Sequence, residues 1–490
     1  MHTSRRLFFL LALFWVAGVL PVQARPAAQP QGPYPVYLPL AAAPAPTNNP
    51  FGFDMHTASS DAAMQLAAAA KPRWSRAGTI FWSDVEPTRG AYNWAALAGV
   101  EMNVRRLRAA GIEPTLVVQR TPAWAQSVAG RLCSPPKVEA FPDFAAFMHT
   151  VAEHFSQSDL TVNYWEIGNE TDIAVTETSD DYGIGCWLDP ARPYNGGSYY
   201  GEALKQVVPA IKSANPQAQV VAGALIWNWP DDSRSRTFLE GMLASGAAQS
   251  VDALSYHAYG EWGAGDLLVN KALRIRELLA QYGMPDKPLI ATEVAAICTT
   301  DDVSGCPPDY NTWIQRQANY AARIYAEAIA LNLKGAFWYT LTSTNPGFRY
   351  SHLIDDENGT LIARPSYHAF VNSANLLEGA VYAGPPLQAV PPTQLDTVQA
   401  LKFRKMRSSF DSRPSTLYVI WVPRVGSPGV SYPVHVAPGA AAICSTKLGG
   451  APDDPDPGKR MRTFYCSDTN KDGVIWFSAI DFPQYIEVLE

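Results

Sequence analysis

The sequence carries little charge for a chain of 490 residues. Charged residues make up 17% of the chain, the net charge is −7, and basic residues form no block after Arg5 and Arg6 near the start. Proteins that bind nucleic acids usually carry a basic patch that neutralises phosphates. This composition therefore argues against a nucleic-acid partner, while the apolar fraction of 47% supports a large folded core.

Histidine and cysteine are also scarce, with eight and six residues respectively. No histidine lies a few residues from a pair of cysteines, so the spacing fits no zinc site. The clusters of histidine and aspartate that a metal-dependent hydrolase needs do not occur in the sequence either. No glycine-rich turn follows an early strand, which argues against a fold that binds dinucleotide phosphates. The sequence thus predicts neither a cofactor nor a metal.

The N-terminal residues 1–24 have the pattern of an export signal. Arg5 and Arg6 precede the apolar stretch Leu7 to Leu20, and Val22-Gln23-Ala24 is a small-residue cleavage site. The apolar stretch is shorter than the ~20 residues that a membrane-spanning helix needs, although an uncleaved anchor is an open alternative. We therefore predict a signal peptide, a secreted or cell-surface protein, and no membrane span after cleavage.

Export permits disulfide bonds, and the cysteines fall into pairs that are near in sequence. Many connectivities are possible for six cysteines. Proximity along the chain favours three pairs, which are Cys133 with Cys186, Cys298 with Cys306, and Cys444 with Cys466.

The composition changes twice along the chain after the signal. Residues 25–50 are rich in Pro, Ala and Gln and predict an extended linker. Over residues 51–377, short apolar runs alternate with amphipathic stretches, which predicts eight strand–helix units and hence an α/β fold of the (β/α)8 barrel type. A doubly wound open sheet is the alternative, and the missing glycine-rich turn argues against it. The predicted strands begin at Phe51, Arg73, Glu113, Val162, Gln219, Val251, Pro288 and Gly335.

The last part of the chain, residues 378–490, loses the helical periodicity. Short alternating segments separated by Pro, Gly, Asp and Asn turns predict a C-terminal antiparallel β-sandwich. We expect four aromatic residues in its core or against the barrel, namely Tyr418, Trp421, Phe464 and Trp476. The tether to the barrel is short, which favours a sandwich that buttresses the barrel over an independently moving module.

Two glutamates stand at the ends of predicted strands. Glu170 ends the run YWEIGNE, and Glu293 lies in the run KPLIATEVA. A (β/α)8 barrel carries its active-site residues at the C-terminal ends of its strands, so we expect the two carboxylates to face one cleft. Cleavage of a glycosidic bond requires such a pair, in which one acid protonates the leaving oxygen and one ionised carboxylate attacks the anomeric carbon.

The motifs around these glutamates resemble those of the clan A glycoside hydrolases, which are retaining (β/α)8 enzymes also called the 4/7 superfamily. Asn169 and Glu170 on the fourth strand resemble the clan's Asn-Glu pair, and the resemblance implies that Glu170 is the acid/base and Glu293 the nucleophile. The stretch Trp82–Trp94 is similar to family 39, the β-xylosidases and α-L-iduronidases. Gly168 departs from that family, which usually has Trp there, and the sequence GNE is closer to arabinofuranosidase and heparanase-like families.

The same resemblance implies a set of substrate contacts. Arg76 on the second strand resembles the clan's arginine near the nucleophile. His257 and Tyr259 in the run YHAYG resemble its sixth-strand pair. Trp338 in the run FWYTL resembles the Trp that floors the sugar site. Together with two further aromatic residues, the predicted substrate contacts are Asn169, Arg76, His257, Tyr259, Trp338, Trp124 and Trp227.

For three further residues, the sequence allows either a functional or a structural role. Asp54 and His56, which end the first strand, could contact the substrate or serve the structure. Glu166 lies deeper along the fourth strand and is better explained as a structural residue than as a third catalytic acid.

For the whole chain we predict a secreted retaining glycoside hydrolase that acts on a polysaccharide or oligosaccharide, with no protein partner inferred. The alternative is a barrel that has lost activity and serves as a carbohydrate-binding or cell-surface scaffold protein. The presence of both glutamates, together with Asn169 and Arg76, favours the enzyme, because an inactive copy usually lacks one acid.

Overall fold

The fold is taken from a computed structural model. The predicted signal peptide, nearly all of the linker, His56 and the cysteines at 298 and 306 lie outside the residues that it describes. The described residues are 49–55, 60–177, 184–227, 231–261, 267–297, 310–342, 351–357, 359–388, 396–423, 426–451 and 460–489.

Eight parallel strands close into a barrel in chain order, which confirms the predicted (β/α)8 fold. Their apolar runs are nearly continuous because each strand is buried on both faces, by the barrel interior and by the surrounding helices. The strands are β1 Phe51–Asp54, β2 Trp74–Phe81, β3 Glu113–Gln119, β4 Tyr164–Ile167, β5 Gln219–Leu225, β6 Ala253–Glu261, β7 Leu289–Ile297 and β8 Gly335–Trp338.

Amphipathic helices connect the strands and cover the barrel. In the fourth helix, Phe144, Phe147, Met148 and Val151 recur at helical spacing and are all buried. The α-helices are α1 Asp61–Ala69, α2 Trp82–Val85, α3 Ala98–Ala109, α4 Phe141–His154, α5 Gly197–Ala214, α6 Ser233–Ala244, α7 Leu267–Gln281, α8 Tyr310–Ala330 and α9 Pro365–Leu377. Short 3-10 turns lie at Trp94–Leu97, Val138–Ala140, Val175–Glu177, Pro193–Gly196 and Ala247–Gln249.

Antiparallel strands follow the barrel and confirm the predicted C-terminal β-domain. A hairpin of β9 Ile354–Glu357 and β10 Thr360–Ala363 precedes α9. Six later strands form one sheet in the order β11-β12-β13-β18-β15-β16, and β14 pairs with β17 in a second sheet. These strands are β11 Ala380–Tyr382, β12 Gln399–Lys405, β13 Ser415–Trp421, β14 Val430–His435, β15 Ala441–Thr446, β16 Arg462–Ser467, β17 Val474–Ala479 and β18 Gln484–Leu489.

The six-stranded sheet packs against an apolar core on each of its two faces. Along β13, Leu417, Val419 and Trp421 belong to the same buried core as the barrel helices. Ile420 alternates with them and belongs to a separate, smaller core shared with the two-stranded sheet. A hydrogen bond from the Tyr485 hydroxyl to the backbone carbonyl of Ala322 in α8 also links the sheet to the barrel. This packing agrees with a sandwich that buttresses the barrel.

Three sequence predictions for this domain are wrong. Phe464 and Trp476 are 46% and 62% exposed, because they lie on strand faces that no other layer covers in the described part of the chain. Cys444 and Cys466 are free thiols. They lie on neighbouring strands, but the register pairs Cys466 with Ala442 and leaves the two cysteines in diagonal positions, which are farther apart than a disulfide allows.

Within the described ranges, no helix is both long and apolar enough to cross a membrane.

Replacing either of two tryptophans by alanine tests whether the sandwich buttresses the barrel. Trp421 is 3% exposed in the core shared with the barrel, whereas Trp476 is 62% exposed. Trp421→Ala should lower the free energy of unfolding by about 3–5 kcal/mol, because it opens a cavity between the two domains. Trp476→Ala should change it by less than ~0.5 kcal/mol. Thermal unfolding of both variants measures this, and equal melting temperatures would contradict a buttressing role.

Candidate active site

The residues after β4 turn sharply at the C-terminal mouth of the barrel. Gly168 and Glu170 both have left-handed backbones, with φ of 88° and 52°. A Cβ atom on residue 168 would lie 2.5 Å from Cγ2 of Thr171, so this position needs glycine for both conformation and space. The left-handed conformation costs Glu170 on the order of 1 kcal/mol, as is common at functional sites.

Glu293 is placed by an irregularity between β6 and β7. Tyr256 pairs with Ala291, but the next residue, His257, pairs with Glu293, so the register skips Thr292. Such a bulge re-aims side chains that strict alternation would send to opposite faces. Both Thr292 and Glu293 are buried and bond to groups from other barrel strands, namely Glu166 and Arg76.

Arg76 on β2 connects the carboxylates of the site. Its Nε and Nη2 atoms donate to Glu166 Oε2 at 2.9 and 2.7 Å. Nη2 also donates to Asn169 Oδ1 at 2.8 Å. Nη1 donates to Oε1 of Glu293 and lies 3.6 Å from Asp54 Oδ2. Burial alone would lower the pKa of Arg76, but the charges of Glu166, Glu293 and Asp54 raise it above its usual value, so the guanidinium keeps its charge.

The hydrogen bonds of Glu166 agree with the structural role predicted for it. Beyond its two bonds from Arg76, its Oε1 accepts from the hydroxyls of Ser255 at 2.6 Å and Thr292 at 2.8 Å. The side chain is buried, with both oxygens bonded. It therefore fixes the guanidinium that in turn holds Glu293.

The two predicted catalytic glutamates lie together. Oxygens of Glu170 and Glu293 and a ring nitrogen of His257 all lie within 4.8 Å of one another. The side chain of Glu170 is 16% exposed and that of Glu293 is 7% exposed. The better access of Glu170 suits an acid that must meet a leaving group, and the enclosure of Glu293 suits a nucleophile held by its neighbours.

Tyr259 and His257 complete the surroundings of the pair. The Tyr259 hydroxyl donates to Oε2 of Glu293. Burial and the charge of Glu293 raise the pKa of Tyr259 well above its usual value, so it remains a donor. The His257 ring contacts both glutamates, with Nδ1 at 3.0 Å from Glu170 Oε1 and Nε2 at 3.4 Å from Glu293 Oε1.

Two of the three tryptophans predicted to contact the substrate are buried in the core. Trp338 and Trp227 are 0% and 1% exposed, so neither ring has an open face for a sugar, and these two predictions are wrong. The indole N–H of Trp338 donates to the backbone carbonyl of Ser351, which holds the side chain within the core. Trp124 is half-buried, and its contact with substrate stays a prediction.

Sequence reasoning missed Tyr339, the residue after Trp338. Its ring is half-buried and packs edge-on against Tyr259, with ring centroids 6.0 Å apart. Burial, followed by the charge of Glu293, raises the pKa of its hydroxyl. The run FWYTL contains the signal that could have identified it. Tyr339 directly follows Trp338, and its hydroxyl is the polar group of this run.

The cluster of Glu170, His257 and Glu293 has the donor types of a metal site, so its charge balance matters. The Arg76 guanidinium is fully buried and donates to Glu293, which places a fixed positive charge against the cluster. The hydrogen bonds from Arg76 and Tyr259 engage both oxygens of Glu293, so a cation would have to compete with two donors for this ligand. These hydrogen bonds suit a carboxylate that is held for nucleophilic attack.

A disulfide bond braces the segment that carries Glu170. Cys133 and Cys186 are joined, as predicted. The residues beside Cys186 hydrogen-bond to those beside Glu170, because Gly185 N donates to Asn169 O and Trp187 N donates to Thr171 O. The bond thus ties the loop after β3 to the turn that presents the acid.

Removing this disulfide should weaken both folding and activity. The double variant Cys133→Ser/Cys186→Ser should lose about 2–4 kcal/mol of stability, because the bond closes a long loop. Its kcat should also fall, since the turn at Glu170 loses its brace. Thermal unfolding and initial rates measure the two effects, with Cys466→Ser, a change at a half-buried free thiol, as the control. A double variant that matches this control in both measurements would contradict the role of the brace.

No protein-family model matches the sequence, and no curated protein matches it. Solved structures do match. A family 39 glycoside hydrolase from Bacteroides cellulosilyticus WH2 has a TM-score of 0.59 at 18% identity, covering 91% of this chain and 81% of that one. A family 30 subfamily 8 xylanase from Clostridium acetobutylicum has a TM-score of 0.60 at 15% identity, covering 92% and 98%.

A family 51 α-L-arabinofuranosidase from Thermotoga petrophila RKU-1 gives a TM-score of 0.56 at 12% identity, covering 91% of this chain and 97% of that one. These likenesses extend over the barrel and the β-domain together. At such low identity they establish a shared fold, the one found in clan A glycoside hydrolases, which confirms the resemblance inferred from the motifs at the level of fold.

Proposed function

We propose that this protein is a secreted or cell-surface glycoside hydrolase that cleaves O-glycosidic bonds with retention of configuration. The observation that carries the proposal is the pair Glu170 and Glu293, whose oxygens approach within 4.8 Å at the mouth of the barrel. Retaining enzymes hold their two carboxyl groups ~5–5.5 Å apart, whereas inverting enzymes leave ~6.5–9.5 Å for a water molecule. The 4.8 Å limit joins one oxygen of each carboxyl group, so it agrees with the retaining separation and supports direct attack by Glu293.

In this mechanism Glu170 gives its proton to the glycosidic oxygen while Glu293 attacks the anomeric carbon, and a glycosyl ester forms on Glu293. Arg76 and Tyr259 donate to separate oxygens of Glu293 and stabilise its ionised form. Glu170 then takes a proton from water, which attacks the same carbon and releases the sugar. Asn169, which accepts a hydrogen bond from Arg76, would contact the sugar 2-hydroxyl.

The substrate that we propose is a polysaccharide or oligosaccharide of neutral sugars, such as those of plant or microbial cell walls. The net charge of −7 provides no attraction for an anionic polymer. The xylanase and the arabinofuranosidase among the structural neighbours suggest pentose-containing polymers as the first to examine.

A panel of aryl glycosides tests this function and narrows the sugar. Wild type and the double variant Glu170→Gln/Glu293→Gln are compared on aryl xylosides, arabinofuranosides, glucosides, galactosides and uronides. The proposal expects hydrolysis of at least one member by the wild type and none by the variant. Wild-type protein that hydrolyses none of them and no polysaccharide, yet binds polysaccharide, would instead establish the carbohydrate-binding scaffold.

A further inference from the structure

His257 lies between the two glutamates and contacts each with a different ring nitrogen. Nδ1 is 3.0 Å from Oε1 of Glu170, and Nε2 is 3.4 Å from Oε1 of Glu293. The side chain is 0% exposed. Its backbone is held as well, because Lys271 Nζ donates to the His257 carbonyl at 3.0 Å. The ring is therefore fixed as a bridge between the two carboxylates.

The bridge is a neutral imidazole at the pH of most assays. Burial lowers the pKa of His257 to about 4, and the charge of Glu293 only partly opposes this effect. Arg76 on β2 and Lys271 on α7 lower the pKa further, while Glu166 on β4 raises it. Two further groups among the described residues face the ring, namely the Glu170 carboxyl after β4 and the Tyr259 phenol on β6, the latter 6.1 Å away between ring centroids.

A neutral imidazole carries one proton, so its two nitrogens have opposite roles. With the proton on Nδ1, the Nε2 lone pair would face the Glu293 carboxylate, and Nε2 has no hydrogen-bond partner among the described residues. Two lone pairs would then oppose each other in a buried site. With the proton on Nε2, the positive N–H lies near the Glu293 carboxylate at 3.4 Å, an electrostatic attraction and not a hydrogen bond. Nδ1 then accepts from a protonated Glu170.

We propose that His257 carries its proton on Nε2 and thereby assigns the single proton of the carboxylate pair to Glu170. The inference rests on the proposed function and deepens it. His257 is then a positioning residue, because it acts through the two glutamates and not on the sugar. Glu170 and Glu293 are chemically identical, and the position of the single proton on the His257 ring gives them different roles.

The same tautomer serves both halves of the reaction. In the first half, the Glu170 proton passes to the leaving oxygen, the glycosidic bond breaks with its electron pair on that oxygen, and Glu293 bonds to the anomeric carbon. Glu170 is then a carboxylate beside the bare Nδ1, which favours its taking a proton back from water. That water forms a bond to the anomeric carbon, the ester bond to Glu293 breaks, and the imidazole has kept its proton throughout.

Nitrogen NMR of the resting protein tests the assignment without any substrate. Full-length protein labelled with 15N-histidine is measured between pH 5.5 and 8, and the His257 signals are identified by their loss in His257→Gln. We expect a protonated Nε2 and an unprotonated Nδ1 across this range. A proton on Nδ1, or a doubly protonated ring, would overturn the proposal. The readout needs no catalysis, so it decides the tautomer even if the protein hydrolyses no glycoside.

The pH dependence of kcat/KM gives a second test once a substrate is known. Nδ1 accepts from protonated Glu170, so removal of the imidazole in His257→Phe should let Glu170 ionise at lower pH. The basic limb of the profile, where kcat/KM falls as the pH rises, should therefore move to lower pH. The ratio of variant to wild-type rate should then fall by about tenfold between pH 5.5 and 7.5. A merely structural role would lower the rate equally at every pH, and an upward move would support the opposite tautomer. Either result overturns the proposal.

Tyr259→Phe is the matched control for this profile. It removes a hydrogen bond to Glu293 and leaves the contact between His257 and Glu170 intact. Its basic limb should stay with that of the wild type, although its overall rate falls. A basic limb displaced equally in both variants would show that the shift does not come from Nδ1 and would overturn the proposal.

Discussion

Glu293→Gln should reduce kcat by roughly 10⁴-fold or more on every substrate, including those with highly activated leaving groups, as expected when an enzyme loses its nucleophile. The amide has the shape of the carboxylate but cannot form the glycosyl ester. Arg76 and Tyr259 donate to separate oxygens of Glu293, so the amide keeps an acceptor for one of them and loses the other hydrogen bond. Initial rates on a dinitrophenyl glycoside and on an oligosaccharide, together with thermal unfolding, measure the effect.

The control for this variant is the same substitution at another buried glutamate. Glu487 is 1% exposed in the six-stranded sheet, where its Oε1 accepts from the Ser415 hydroxyl. Glu487→Gln should lower the melting temperature without changing kcat, because Glu487 lies in the C-terminal sheet and bonds to Ser409 and Ser415 and not to the residues of the candidate active site. If Glu293→Gln kept more than about a tenth of the wild-type activity, the assignment of the nucleophile would be wrong.

Glu170→Gln should slow hydrolysis in proportion to the need of the leaving group for a proton. General acid catalysis contributes ~10²–10⁴-fold, so an oligosaccharide should lose about that much. A dinitrophenyl glycoside leaves without protonation, and formation of its glycosyl ester should be nearly unaffected. Turnover should then be limited by the second step, in which Glu170 activates water. A burst of dinitrophenol followed by a slow steady state would reveal this.

External azide separates the two roles further. In Glu170→Ala, azide can attack the glycosyl ester without general base catalysis and should restore turnover, giving a glycosyl azide of retained configuration. In Glu293→Ala, azide can occupy the space of the missing nucleophile and should give the inverted product. The reverse assignment of products would show that the acid/base and the nucleophile have been exchanged.

The parts of the site that the sequence predicts follow from the rule that barrel strands end at the active site. Glu170 and Glu293 each follow a buried apolar run, and closure of the barrel brings those strand ends together. The role of Gly168 was visible only as a departure from family 39. Its reason, a left-handed backbone against Thr171, requires coordinates.

The parts that the sequence could not predict depend on local register and on which face a neighbour covers. The irregular pairing of His257 with Glu293 places two successive β7 residues in the site, and no residue pattern announces it. Trp338 and Tyr339 are adjacent, and a shift of one residue decides which of them is buried. Trp476 alternates with buried neighbours like a core residue, but it lies on the uncovered face.

The most direct test of the central claim is to trap the covalent intermediate. The wild type is incubated with a 2-deoxy-2-fluoro glycoside of the sugar that it hydrolyses best, carrying a dinitrophenyl leaving group. The fluorine slows both formation and breakdown of the ester, and the activated leaving group speeds its formation, so the ester accumulates. The account predicts one fluoroglycosyl group per protein, found by mass spectrometry on the peptide that contains Glu293. An adduct on another residue, or no adduct together with hydrolysis products of inverted configuration, would contradict it.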